Sequence, residues 1–184
     1  MRQLVMEFKT WGGKREGAGR PAKGSVRYVP HLPRAKLAPR FPVHVTWRMH
    51  REVWNLRSRR SARALAPALY KGAVREGFRL VHFAVMGNHM HMMVEASDSV
   101  RLARGMQGLG VRVARALNRM MKRQGRVIGD RYHTHILKTP TEVRTARAYL
   151  LNNAYKHYGW RGTDPYASQR PFTAPRTWLM RQVC

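Results

Sequence analysis

A single cysteine, Cys184, stands in this chain of 184 residues. No internal disulfide can form, and no zinc site built on several thiolates is available. Acidic residues are scarce too: 9 Asp and Glu face 36 Lys and Arg, for a net charge of +27. Long apolar runs are missing; no stretch nears the roughly 18–20 residues of a membrane span, and no apolar signal core opens the chain. These shortages argue against a disulfide-stapled scaffold, a thiolate metal protein and a membrane protein. What remains is a chain with 43% hydrophobic residues, enough for one domain with a single core and modest extensions.

So large a basic excess costs stability through self-repulsion, and a polyanion is the simplest partner that offsets it. Arg outnumbers Lys, which favours bidentate phosphate contacts over point-charge attraction. Charge alone fits equally a ribosomal or chromatin-like basic protein without chemistry. The expected location is cytoplasmic and nucleoid-associated.

Residues 1–40 have little apolar periodicity. The run from Gly12 to Gly24 is glycine-rich and basic, and reads as a mobile arm. Within it Gly19-Arg20-Pro21, followed by Lys23, is similar to an AT-hook, in which an extended Arg-Pro segment lies in a narrow minor groove. A solvated linker with nonspecific charge is the plainer reading of Arg20 and Lys23.

Residues 41–160 carry the core. Val43, Val45 and Trp47 alternate with His44, Thr46 and Arg48, as in a half-buried strand. Helix is favoured from about Glu52 to Val74, with a break or kink at Pro67. Phe78 to Val85 is a second apolar run, and Gly87-Asn88 turns into a third strand. Val100 to Arg123 is the clearest helix: Leu102, Met106, Leu109, Val113, Leu117 and Met120 recur at helical spacing. Arg101, Arg104, Arg112, Arg115, Arg119 and Lys122 fall on a separate arc of roughly 100°. Such a face is ordinarily only solvated, but six cations with no acid among them favour phosphate contact. Gly105, Gly108 and Gly110 weaken this helix, so tertiary contacts must hold it. A strand over Arg131–Leu137 follows, then a helix capped by Thr139 or Thr141 and running to about His157. The order β-α-β-β-α-β predicts an α+β fold: a ferredoxin-like antiparallel sheet with helices on one face, followed by a further C-terminal helix. Residues 161–184, with Pro165, Pro171 and Pro175, read as an irregular tail wrapping the core.

Chemistry concentrates at His89-Met90-His91. Strand side chains alternate, so the two imidazoles share one face while Met90 and Met92 enter the opposite layer, a platform suited to one divalent cation. Two ligands are too few. In the last helix Tyr149 and Asn153 stand at i and i+4 on one face. If that face meets the His-Met-His strand, Asn153 can supply an oxygen ligand and Tyr149 a phenolate nucleophile. Histidines on a strand are more often structural than ligands, and Tyr132, Tyr155 and Tyr158 compete for the tyrosine role. His133 and His135 form a second His-x-His pair, read as structural or phosphate-facing.

Taken in order, Asn88-His89-Met90-His91 with Met92-Met93-Val94-Glu95, then Gly129-Asp130-Arg131-Tyr132-His133, then Tyr149-Leu150-Leu151-Asn152-Asn153 resemble the HUH single-strand DNA transposases with one catalytic tyrosine, most closely the REP-associated branch. The resemblance spans about residues 41–160. It implies that His89, His91 and Asn153 bind Mg²⁺ or Mn²⁺. It also implies that Tyr149 attacks a phosphate of single-stranded or hairpin DNA, leaving a 5′-phosphotyrosine and a free 3′-OH that later rejoins strands. No nucleotide cofactor is implied, and monomer and homodimer both stay open. Two positions depart from the family pattern, which often has proline where Gly87 and Ala154 stand. Gly87 is expected to loosen the turn before the ligands, and Ala154 to let the helix continue. The rival readings are a domesticated module that grips DNA or RNA without cutting, and a relaxase or replication initiator.

Overall fold

The computed structural model describes residues 35–184; Arg20, Lys23 and the AT-hook-like run lie outside them. In chain order the elements are β1 (Val43–Arg48), α1 (Arg59–Gly72), β2 (Val74–Arg75), β3 (Phe78–Val85), β4 (His89–Ala96), α2 (Ser99–Met121), β5 (His133–Ile136), α3 (Pro140–Tyr158) and α4 (Trp178–Arg181). The sheet order is β2-β3-β4-β1-β5 and every pairing is antiparallel. Without the two-residue β2, this is the ferredoxin-like strand order that the sequence predicts.

All eight residues of β4 are buried, because helices cover both faces. Met90, Met92 and Val94 join Val43, Val45 and Trp47 in a core with α1 and α2. Met93 joins Val81, Ala84, Val143, Ala146 and Leu150 beneath α3 and α4. The two helices of the ferredoxin-like unit, α1 and α2, gather on one face as predicted. The further helix α3 covers the other face, because its apolar residues Val143, Ala146 and Leu150 need a sheet surface and α1 and α2 already occupy the first.

Three local expectations change. First, α1 starts at Arg59, not near Glu52: the Asn55 side chain accepts from Arg57 N–H at 2.9 Å, an Asx turn that competes with helix, and Ser58 then caps by accepting from Ser61 N–H at 3.2 Å. Second, Pro67 does not break it. Leu65, Ala68 and Leu69 hold the helix on the core, and the carbonyl that the ring leaves unpaired is that of Arg63, on the exposed side. Third, Tyr132 lies just before β5, which is only four residues long. Of the two candidate caps for α3, Thr139 is the one used, accepting from Glu142 N–H.

The tail lies along the outer edge of β3. Val85 N–H donates to Tyr166 O at 2.8 Å, Ser168 N–H to Phe83 O at 2.9 Å and Phe172 N–H to Val81 O at 2.7 Å. An edge covered in this way offers fewer free groups to another strand. Glu95, 5% exposed, anchors the tail's end, accepting from the amides of Arg176 and Thr177 and from the Thr177 hydroxyl at 2.7–3.1 Å.

Close approach explains the glycines of α2. A Cβ on Gly105 would lie 2.1 Å from the Phe78 ring, and one on Gly110 would lie 2.7 Å from Trp47. At Gly108 the nearest atom is the end of the Arg75 side chain, which can move. Gly105→Ala should therefore lower stability by roughly 1–3 kcal/mol through overpacking. Gly108→Ala should be neutral or gain up to about 1 kcal/mol from helix propensity. Urea unfolding of the two variants checks the opposite signs.

Candidate active site

His89 and His91 do share a face, and it is the α3 face. Their Nε2 atoms are 3.1 Å apart with the rings edge to face. Each outer nitrogen is held: His89 Nδ1 lies 2.8 Å from Asn88 Oδ1, and His91 Nδ1 lies 3.2 Å from Thr46 Oγ1. Asn88 Oδ1 can only accept, so His89 carries its proton on Nδ1 and turns the Nε2 lone pair towards His91. Burial is the main reason that both rings are neutral: His91 is lowered to about 2 and His89 to about 4. Neighbouring imidazoles add to this, His44 first for His91 and His157 first for His89.

The helix α3 packs over this pair. The Tyr149 ring sits 5.2 Å from the His91 ring and 6.2 Å from that of His44, edge to face with both. One turn later, Asn153 is 1% exposed, and neither its Oδ1 nor its Nδ2 makes a hydrogen bond of good geometry. A buried amide without partners costs about 1–3 kcal/mol. Burial pushes the Tyr149 phenol above its ordinary value, and the nearby Asn153 amide pulls the other way. Lys156 Nζ lies 5.9 Å from the Tyr149 ring centroid, a cation placed beside the phenol.

This donor set suits a divalent cation. Two neutral imidazole nitrogens 3.1 Å apart can share one ion at about 2.1 Å, and the orphaned Asn153 oxygen is the type of third donor that Mg²⁺ or Mn²⁺ accepts. The described residues hold no cluster of three or more His, Cys, Asp or Glu side chains arranged for a metal.

The sequence reading missed His44, Thr46, Lys156 and His157. His44 stacks on His91 at 5.4 Å between centroids, and its pKa falls to about 4, chiefly through burial. Its only sequence signal was its place on the polar phase of β1. Among the competing tyrosines, Tyr132 packs against the α1/α2 core on the other layer, and Tyr155 is 57% exposed. His135 pairs with His44 across β1 and β5, and His133 pairs with Thr46. The basic residues of α2 are likewise in the other layer. Arg104, Arg112, Arg115, Arg119 and Lys122 are exposed there, while Arg101 is partly buried and ion-pairs with Glu76 at 3.0 Å. The sheet separates that face from His89, His91 and Tyr149.

Gly87 does not leave the turn loose. Its N–H donates to the Tyr158 hydroxyl at 2.9 Å, its carbonyl accepts from Leu56 N–H at 2.8 Å, and Asn88 O accepts from Met49 N–H at 2.9 Å. Tyr158 closes α3, so this bond ties the helix carrying Tyr149 and Asn153 to the turn that aims His89. Behind it, the Arg57 guanidinium lies between the rings of Tyr158 and Tyr166, at 4.8 and 4.4 Å from their centroids. Two of its nitrogens donate to Asp164 at 2.9 and 2.8 Å. A proline at position 87 would have no N–H to give. The expected glycine looseness is replaced by a clamp that only a residue with an amide hydrogen allows.

The family model for IS200-like transposases matches residues 39–153, more than half of the chain. The protein belongs to the IS200-like transposase family. Among solved structures, it is similar to a REP-associated tyrosine transposase bound to a REP hairpin. The TM-score is 0.63 and the identity 14%, over 77% of this chain and 83% of that one, a likeness of fold. A crystal structure described as that of a transposase from Deinococcus radiodurans R1 matches at a TM-score of 0.44 and 17% identity, over 66% of this chain and 94% of that one, too distant to carry an argument. No curated protein matches. No helix among the described residues is long and apolar enough to cross a membrane.

Two predictions follow from the geometry. Tyr158→Phe should cost about 1 kcal/mol, and Gly87→Pro at least as much. Because they break the same bond, the double variant should lose less than the sum, which a double-mutant cycle in urea measures. The second concerns pH. His44, His82, His89 and His91 are all held neutral when folded, with His44, His82 and His89 lowered to about 4 and His91 to about 2. An unfolded chain takes up those protons below about pH 6.5. The unfolded state therefore binds more protons, and stability should fall steadily from about pH 6.5 towards pH 4. Unfolding midpoints measured without metal across that range check the sign.

Proposed function

We propose that this transposase cleaves and rejoins single-stranded DNA through Tyr149, at a divalent cation held by His89, His91 and Asn153. The observation that carries this reading is the juxtaposition of the Tyr149 ring, 5.2 Å from His91, with two facing imidazole nitrogens and a buried amide that makes no hydrogen bond of good geometry. Bound there, Mg²⁺ or Mn²⁺ would neutralise the non-bridging oxygens of the scissile phosphate and make phosphorus a better electrophile.

The remaining roles belong to the chain. The Tyr149 oxygen attacks phosphorus in line with the leaving 3′-oxygen; the new Tyr–O–P bond forms as the P–O3′ bond breaks. The phenolic proton passes to solvent, and the departing 3′-oxygen takes one up, so the products are a 5′-phosphotyrosine and a 3′-OH. The reverse attack by a 3′-OH restores a phosphodiester without a nucleotide cofactor. Burial raises the phenol pKa, so Tyr149 stays protonated until a charged partner arrives. Asn88 and Thr46 hold the two imidazoles in orientation.

The hairpin in the REP-associated relative suggests a substrate with a stem and a single-stranded flank. Incubated with an end-labelled hairpin of that kind and Mn²⁺, the protein should form a denaturant-resistant adduct. Tyr149→Phe should abolish it, and Asn88→Ala should reduce its rate about 10–100-fold. An adduct that persists in Tyr149→Phe would sink the assignment. Hairpin binding without any adduct, equal in wild type and His89→Ala, would favour a module that grips DNA without cutting.

A further inference from the structure

At the far end of the sheet from His89 lies a second concave site. Glu95 and Ala96 close β4 there, six and seven residues beyond His89, which at about 3.3 Å per residue is roughly 20 Å away. The cavity measures about 420 Å³, within the range of small-ligand pockets. Its walls carry four arginines, Arg40, Arg75, Arg79 and Arg176, with Phe78 in its lining and Trp178 at its side. Trp178 is 60% exposed, although Leu179 and Met180 beside it are buried. The side chain is therefore presented to solvent by a helix that is itself docked.

Among the described residues, the only carboxylate lining the cavity is Glu95, and both of its oxygens are already engaged by the amides of Arg176 and Thr177 and the Thr177 hydroxyl. Its charge serves to hold the wall that carries Arg176 and Trp178. Two other guanidiniums are pinned by one donor each: Arg79 Nη1 to Ala174 O at 2.7 Å, and Arg75 Nη1 to Arg104 O at 3.2 Å. A guanidinium has five N–H groups, so each keeps donors for an anion. Arg40 lies over the Phe41 ring at 4.8 Å, which fixes its direction.

We propose that this cavity binds one nucleotide of a single-stranded DNA segment, its base stacked on Trp178 and its phosphate held by Arg79 and Arg176. The combination is what selects the ligand. Guanidiniums alone would take any anion, and an exposed indole alone any flat apolar group. Single-stranded nucleic acid offers a planar base and a phosphate at adjacent positions. The site lies at the opposite end of the sheet from Tyr149 and does not depend on cleavage there; it gives the enzyme a second grip on the strand.

The test uses the full chain and a short oligodeoxynucleotide bearing 5-iodouracil. Irradiation should cross-link the base to the peptide that contains Trp178, identified by mass spectrometry. In anisotropy titrations, Trp178→Ala should weaken binding about tenfold with an unchanged salt dependence, while Trp178→Phe keeps most of the affinity. Arg176→Ala should weaken binding and also lower the slope of log affinity against log salt by about 0.7, one phosphate contact to a single strand. Arg63→Ala, the same charge change on exposed α1, should leave the cross-link to the Trp178 peptide in place. Tyr149→Phe should still cross-link at the peptide that contains Trp178, which separates this site from the cleavage reading. Cross-links confined to other peptides, or Trp178→Ala binding as tightly as wild type, would overturn the proposal. So would a loss in Trp178→Ala no larger than that in Arg63→Ala.

Discussion

Everything in this molecule depends on the two-sided burial of one strand. β4 is central and covered on both faces, so each residue's phase along it decides which layer it enters. Met90, Met92 and Val94 fill the core under α1 and α2; His89, His91 and Met93 face α3. A slip of one residue would exchange those sets, placing imidazoles in an apolar core and methionines beneath Tyr149. The same burial that fixes the register also strips water from the histidines and keeps them neutral, the protonation state a metal ligand needs.

The second requirement is that α3 be held in register with the turn before β4, because Tyr149 and Asn153 ride on one and His89 follows the other. Two kinds of contact do this. Val143, Ala146 and Leu150 bury the helix against the sheet, which sets its height and leaves sliding along the surface weakly opposed. The bond from Gly87 N–H to Tyr158, backed by Arg57 and Asp164, is directional and sets position along the axis. The tail takes part as well: Asp164 lies in it, and its later residues seal β3 and end on Glu95.

Charge is arranged by layer. A net +27 would be costly if gathered near buried imidazoles, and the α2 arginines project from the opposite side of the sheet instead. The Tyr149 layer has cations of its own, among them Arg48 near His89 and Lys156 over the Tyr149 ring. The α2 arginines and the Tyr149 ring thereby lie on opposite sides of one sheet.

Sequence pattern was sufficient for several features. Period-two alternation located β1, an apolar run located β3, and the Gly87-Asn88 turn located the start of β4. Helical periodicity located α2 to within two residues at each end, and Thr139-Pro140-Thr141 marked the start of α3. The His-x-His and Tyr-x-x-x-Asn spacings placed each pair on one face, since those periods are properties of the backbone itself. Which faces meet is a different matter. It depends on contacts between residues far apart in the chain, and no local period reports them. The stacking of His44 on His91, the amide bond from Gly87 to Tyr158, the covering of β3 by the tail, and the separation of the α2 arginines from the site all join segments distant in sequence. The continuous helix through Pro67 has the same origin, because side-chain burial there outweighs a local preference. The sequence by itself determined the elements, their order and the chemical groups on each face. Only the tertiary structure decided which of those groups share a site, because long-range burial selects one arrangement among the many that the local rules permit.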